Sequence, residues 1–165
     1  EPPPGRSHQA LDATLRGNLA ALLTLTGRLQ DEAWLARDPV NGWSPIEIVC
    51  HLRDAETEVN LPRLQRILSQ PAPFLSAVDT DPWVLERAYQ RQSPVEAIAA
   101  FTQSRKQLLT RLESLKPSEW SLPARHALLG PTTLAEVMGL IVEHERIHMA
   151  SLRRAAATEE ISNPR

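Results

Sequence analysis

Cysteine is nearly absent. The one thiol, Cys50, excludes an intrachain disulfide and fits a reducing compartment, so a cytoplasmic protein is expected. Long apolar runs are missing too, and without one of roughly 18–20 residues no helix is expected to span a bilayer. Neither sign of charge is in excess: 18 Lys and Arg face 20 Asp and Glu along the whole chain, a net charge of −2. That leaves no basic field to hold nucleic acid by counterion release. β-Branched residues are scarce, with 8 Val and 7 Ile against 24 Leu and 20 Ala. Leu and Ala favour helix while branched side chains favour strands, so an all-α chain is expected and no strand is read. What is present, 42% hydrophobic and 23% charged residues in a chain of 165, suits one globular domain.

The apolar pattern resolves into four helices. From about Ser7 to Gln30, Leu11, Leu15, Leu19, Leu22, Leu25 and Leu29 recur at steps of three and four, one stripe of a helix. Asp38-Pro39 and Asn41-Gly42 mark a turn. The second helix opens on a capping box, Ser44-Pro45-Ile46-Glu47, with Trp43 and Ile48 placed as a hydrophobic staple. Its inner stripe is Ile48, Leu52, Ala55 and Val59, and Pro62 should kink or end it. Ser69 to Ser93 reads as a Pro-rich connection with a short helix over Trp83–Gln90. Ser93-Pro94-Val95-Glu96 then opens the third helix, striped by Ile98, Phe101, Leu108, Leu112 and Leu115 and closed by Lys116-Pro117. The segment from Ser118 to Pro131 reads as irregular, and Thr133-Leu134-Ala135-Glu136 opens the last helix, to about Ala157. Four helices with one apolar face each are best satisfied by a four-helix bundle, here with long connections between helices 2 and 3 and between 3 and 4. The expected organisation is a flexible segment over 1–6, the bundle over 7–157 and a frayed tail over 158–165.

Five histidines occur: His8, His51, His126, His144 and His148. His144 and His148 are four apart on a helix, so both imidazoles leave one face and can reach one ion at the zinc–nitrogen distance of about 2.0–2.1 Å. Val137 and Ile141 share that face, which turns the pair inward. His51, three after Ile48 and four before Ala55, also borders the inner stripe. A buried imidazole needs a polar partner, and one shared cation satisfies three of them together. Three neutral ligands leave a coordination position free, the pattern of reactive rather than structural metal sites.

Two other metal readings fail. His144-Glu145-Arg146-Ile147-His148 matches the zincin protease string, in which Glu is the general base. A zincin needs a further ligand downstream, where the chain reads as a fraying tail, and a sheet edge for substrate, where no strand is read. Glu145-x-x-His148 is half of a di-iron carboxylate site, but the residue at the same offset before His51 is Ile48 rather than Glu.

With these residues in place, the chain resembles the DinB/YfiT-like family of metal-binding four-helix bundles. The resemblance rests on Trp43 through Leu52, on His126 through Leu134 with its Gly130-Pro131-Thr132-Thr133-Leu134, and on His144 through His148, and covers about Leu11 to Leu152. It implies a metal triad of His51, His144 and His148. Relatives often carry Asp where this chain has Glu145, and Gln where it has Ser151. The resemblance further implies a divalent metal, zinc or nickel before manganese or iron, and a thiol-dependent transferase using a low-molecular-weight thiol and a small-molecule substrate. A homodimer through outer helix faces is implied as well. The alternatives are a non-catalytic metal-binding or stress-response module and, behind it, a metal-dependent hydrolase.

Glu145 is a candidate catalytic base, but on a helix it points about 100° from His144, which favours an ordinary ion-paired glutamate. His126 is placed at the pocket mouth or the plain surface, and His8 at the surface. Cys50 reads as a buried, inert thiol. Trp34, Trp43, Trp83 and Trp120 fall near helix ends, where they lock connections onto the bundle. Arg146, Arg153 and Arg154 give the last helix a basic outer face.

Overall fold

Capping determines where the helices start. The computed structural model describes residues 7–162; the expected flexible segment 1–6 and the last three residues of the expected tail lie outside the described residues. Helix α1 (His8–Thr26) begins at Ser7, whose hydroxyl accepts the Ala10 N–H at 3.2 Å. In α2 (Pro45–Ala55) Glu47 accepts the Ser44 N–H at 2.9 Å. Pro62 is expected to kink or end this helix, and the α register breaks just before it without the chain leaving the helix. The backbone runs through a π turn, Glu56–Asn60, directly into α3 (Leu61–Ser69). Proline lacks an N–H and collides with the carbonyl four residues back. A π turn shifts the register by one residue, and Pro62 then occupies the first turn of a new α segment, where no N–H is required.

The next connection contains α4 (Trp83–Glu86), shorter than the expected 83–90, and a 3₁₀ turn, Tyr89–Arg91. Helix α5 (Pro94–Glu113) follows, with the Glu96 N–H donating to the Ser93 hydroxyl. Helix α6 (Leu134–Ser162) is capped by a reciprocal Thr133–Glu136 box and passes the expected stop at Ala157. Three alanines at 155–157 favour helix, and no breaker precedes Pro164.

The expectation of no strand is wrong. Between β1 (Phe74–Leu75), β2 (Pro123–His126) and β3 (Gly130–Thr133) a three-stranded sheet forms, β1 parallel to β2 and β2 antiparallel to β3. Strands of two to four residues carry too little alternation for a period-two signal, and Pro123 and Pro131 disguise the hairpin. Gly130 lies in the left-handed region at φ +71°, where a side chain would strain the turn.

Helix packing closes a ring: α1 against α6, α6 against α2, α2 against α5, and α5 against α1. Around this ring α1 sits diagonally from α2 and α5 from α6, whereas α2 and α5, joined by the longest connection, are neighbours. The core is in two parts. Leu11, Leu15, Leu64, Leu108 and Ile141 belong to one cluster, and Leu22, Leu52, Phe101, Met149 and Leu152 to the other. Each long helix places a polar residue on its stripe between the two clusters: Asn18 on α1, Glu56 at the start of the π turn, Arg105 on α5 and Glu145 on α6. Among the described residues no helix is long and apolar enough to cross a membrane.

Candidate metal centre

His51 leaves α2 about two turns after the cap at Ser44, and His144 and His148 leave α6 one turn apart. The α2–α6 contact brings all three rings together. His144 Nε2 lies 2.9 Å from His51 Nε2 and 3.1 Å from His148 Nε2, and the candidate ligand atoms all lie within 4.8 Å of one another. Tetrahedral zinc–nitrogen bonds hold neighbouring nitrogens roughly 3.3 Å apart, so the cluster is close to the spacing one ion requires. Trp43 meets His51 and His148 edge-on at ring distances of 5.0 and 5.1 Å and screens both from water.

The residues fit a divalent ion. Burial pushes His51 down to about 3 and His148 to about 2, helped by the neighbouring imidazoles, and burial alone lowers His144, against the pull of Asp81 and Glu56. All three are therefore neutral at physiological pH, with lone pairs free to bind. Without an ion, three neutral rings share two Nε2 contacts, and the buried Nδ1 atoms of His51 and His148 have no partner. A cation facing the three Nε2 atoms gives each of them a partner and fixes the proton on Nδ1, although it supplies no acceptor for the Nδ1–H groups of His51 and His148.

These shifts predict how the metal-free protein responds to acid. The unfolded chain takes up protons below pH about 6.5, while the folded triad resists them down to its much lower values, so the stabilisation is complete above about 6.5 and is lost as pH falls. Each histidine contributes up to about 1.4 kcal/mol per pH unit in that window. Urea unfolding in chelator should therefore show a midpoint that drops between pH 7.5 and 5.5; a flat or rising midpoint would refute neutral, buried ligands.

His144 also lines a cavity of about 200 Å³ between α2, α6 and the sheet. It is lined by the apolar Val59, Val78, Leu140 and Ile141 and by the polar Asn60, Arg63, Thr80 and His126. A larger groove between α3 and α5 contains none of the histidines.

The family follows from the chain's match to known sequences. Residues 14–152 match the model of the DinB superfamily. The chain belongs to the DinB superfamily. Among solved structures, this DinB chain is similar to YfiT from Bacillus subtilis, described as a probable metal-dependent hydrolase with an unusual four-helix bundle topology. The two share 18% identity over 96% of this chain and 93% of YfiT, with a TM-score of 0.82. At that identity the likeness establishes the fold, in agreement with the expected bundle. No curated protein matches the chain.

The other candidate residues separate cleanly in this DinB chain. Glu145 is buried, and its carboxylate accepts from Arg105 and from Asn18 Nδ2, the latter at 2.7 Å. Arg105, fully buried, also donates to Glu56 at 2.5 Å and to the Leu15 carbonyl at 3.1 Å. Burial pushes the Arg105 guanidinium down, but Glu145 and Glu56 more than offset it and hold it above its ordinary value. Ser151 donates to Asp38 at 2.7 Å, and Arg154 donates to the same carboxylate. The turn before α2 is thus tied to α6 one turn after His148, and Arg154 is ion-paired rather than a free part of a basic face. Cys50 is fully buried, and burial pushes its thiol up to about 11, as expected of an inert cysteine. His8 stacks on Trp120 at 5.3 Å. His126 is buried, at 5% exposure, at the end of β2.

Sequence reading missed Arg105, Glu56, Asn18 and Arg63. Three of them carried a signal. Arg105 continues the stripe from Phe101 to Leu108, Glu56 follows Leu52 by four, and Asn18 lies between Leu15 and Leu22, so each occupies an inward position that the apolar pattern skipped. Arg63 had no such signal, because the π turn displaces it from any straight-helix register.

Proposed function

We propose that this DinB protein is a metal-dependent enzyme in which His51, His144 and His148 hold a divalent ion and a small-molecule substrate occupies the adjoining cavity. The observation that carries the reading is the convergence of three neutral Nε2 atoms on one point, with one of the three rings, His144, also lining that cavity. When bound, such an ion supplies Lewis acidity, lowering the pKa of a thiol or water at its free position.

The reaction we favour is thiol transfer, which the family resemblance implies. No carboxylate lines the cavity among the described residues, and the nearest candidate base, Glu145, is engaged by Arg105 and Asn18. An ionised thiol is already a nucleophile and needs no protein base, whereas hydrolysis gains most from one held within reach of the attacking water. In this reading Trp43 excludes water, Val59, Leu140 and Ile141 hold the apolar body of the substrate, and Glu145 fixes the helix that presents two of the ligands. Hydrolysis is the second reading, favoured by the likeness to YfiT.

The two separate in one assay. Zinc- or nickel-loaded protein is given an electrophilic aryl halide with each of several low-molecular-weight thiols, and in parallel an activated ester without thiol. Thiol-dependent turnover lost in His144→Ala is expected. Ester turnover that ignores thiol and is lost in the same variant would replace transfer with hydrolysis.

A further inference from the structure

His126 has a fixed tautomer. Its Nδ1 accepts the backbone N–H of Leu128 at 3.2 Å, so in the neutral ring the proton must sit on Nε2. That Nε2 is buried and has no partner. Burial and the nearby Arg63 cation both push the ring toward its neutral form. An unpartnered buried donor is costly, and such a group at a cavity wall is ready to be met by an acceptor on a bound molecule.

Arg63 lines the same cavity and is half-buried. It donates to the Ser76 carbonyl at 2.7 Å and forms no ion pair among the described residues. It therefore differs from Arg105, Arg87 and Arg154, each of which faces a carboxylate. Thr80 and Asn60, whose amide donates to Glu56 at 2.9 Å, line the cavity as well, together with the apolar Val59, Val78, Leu140 and Ile141.

We propose that the cavity beside His144 binds a small molecule with an apolar body and a carboxylate end, the carboxylate held by the Arg63 guanidinium and the Nε2–H of His126. This deepens the proposed function by naming its substrate class, and it rests on that reading only in taking the cavity as the substrate site. A monoanion suits one cation and one neutral donor, whereas a phosphate dianion is normally met by more positive charge. The volume of about 200 Å³ admits an acid of a few carbons and excludes large cofactors.

The test is a titration followed by backbone amide shifts, using butanoate and its neutral isostere butanamide, on zinc-loaded protein and in parallel on metal-free protein. Any direct bond between zinc and carboxylate is common to wild type and variants, so the difference between them reads Arg63 and His126. We expect butanoate to bind at least about tenfold more tightly than butanamide, since hydrogen bonds to charged groups are worth that much. Arg63→Met and His126→Leu should each remove most of the preference, and Arg63→Lys should restore part of it, which a merely structural arginine would not do. Equal binding of acid and amide, or a preference untouched in both Met and Leu variants, would overturn the proposal. Inorganic phosphate competing as well as butanoate would overturn the carboxylate assignment. Zinc uptake without any preference for butanoate sinks this inference alone. A preference that persists in a protein unable to take up metal sinks the metal reading and leaves the anion site standing.

Discussion

Replacing Arg105 by leucine should lower folding stability by about 3–5 kcal/mol, the range for removing one partner of a buried ion pair. Arg105 is enclosed at the level where the two apolar clusters meet, and it faces carboxylates from two other helices, Glu56 and Glu145. Leucine matches its neighbours Phe101 and Leu108 in character, so lost packing is a minor part of the effect. The dominant part is electrostatic: two buried carboxylates lose the cation between them and repel each other. If that is the cause, neutralising them should repair it. Arg105→Leu with Glu56→Gln and Glu145→Gln should recover most of the loss, because replacing a whole buried charge cluster is often neutral. Urea unfolding of the single and triple variants decides the matter. A single variant within about 1 kcal/mol of wild type would mean that this layer is solvated rather than buried.

The second large effect is one of sign. In chelator, His148→Leu should melt at or above the wild-type temperature, because it replaces a buried ring whose Nδ1 has no partner by an apolar side chain of similar volume. In excess zinc the order should reverse. Wild type gains RT ln(1 + [L]/Kd), about 4 kcal/mol at a thousandfold excess over Kd, and the variant with two ligands gains far less. A histidine serving only the core predicts the opposite, destabilisation in chelator and no response to metal. Melting curves of both proteins with and without zinc therefore distinguish a ligand from a packing residue.

Much of this was legible in the sequence, and the illegible part has physical causes. The capping boxes at Ser44, Ser93 and Thr133 mark three helix starts because their signal is local: a hydroxyl and a carboxylate three residues apart. The triad was legible as spacing because His144 and His148 are one turn apart and His51 borders the stripe of its own helix. The polar layer was not, since Asn18, Glu56 and Arg105 occupy inward positions that a hydrophobic pattern treats as gaps, and each becomes tolerable inside only through the others. Their pairing is a property of four helices at once. The π turn escaped for a related reason. Pro62 announced a break, but whether the chain breaks or slips register depends on the helices packed around it. His126 was left between pocket and surface because its position depends on the hairpin and on Leu75, 51 residues away in the register Leu75↔His126.

The chemistry turns on whether the three imidazoles hold a metal. The decisive measurement is metal analysis of protein prepared without an affinity tag and exposed in turn to zinc, nickel, manganese and iron, then dialysed. We expect about one equivalent of a divalent ion, released on acidification as the three nitrogens take up protons. Less than about a tenth of an equivalent with every metal, under conditions where neutral ligands bind at full affinity, would contradict a metal centre at His51, His144 and His148.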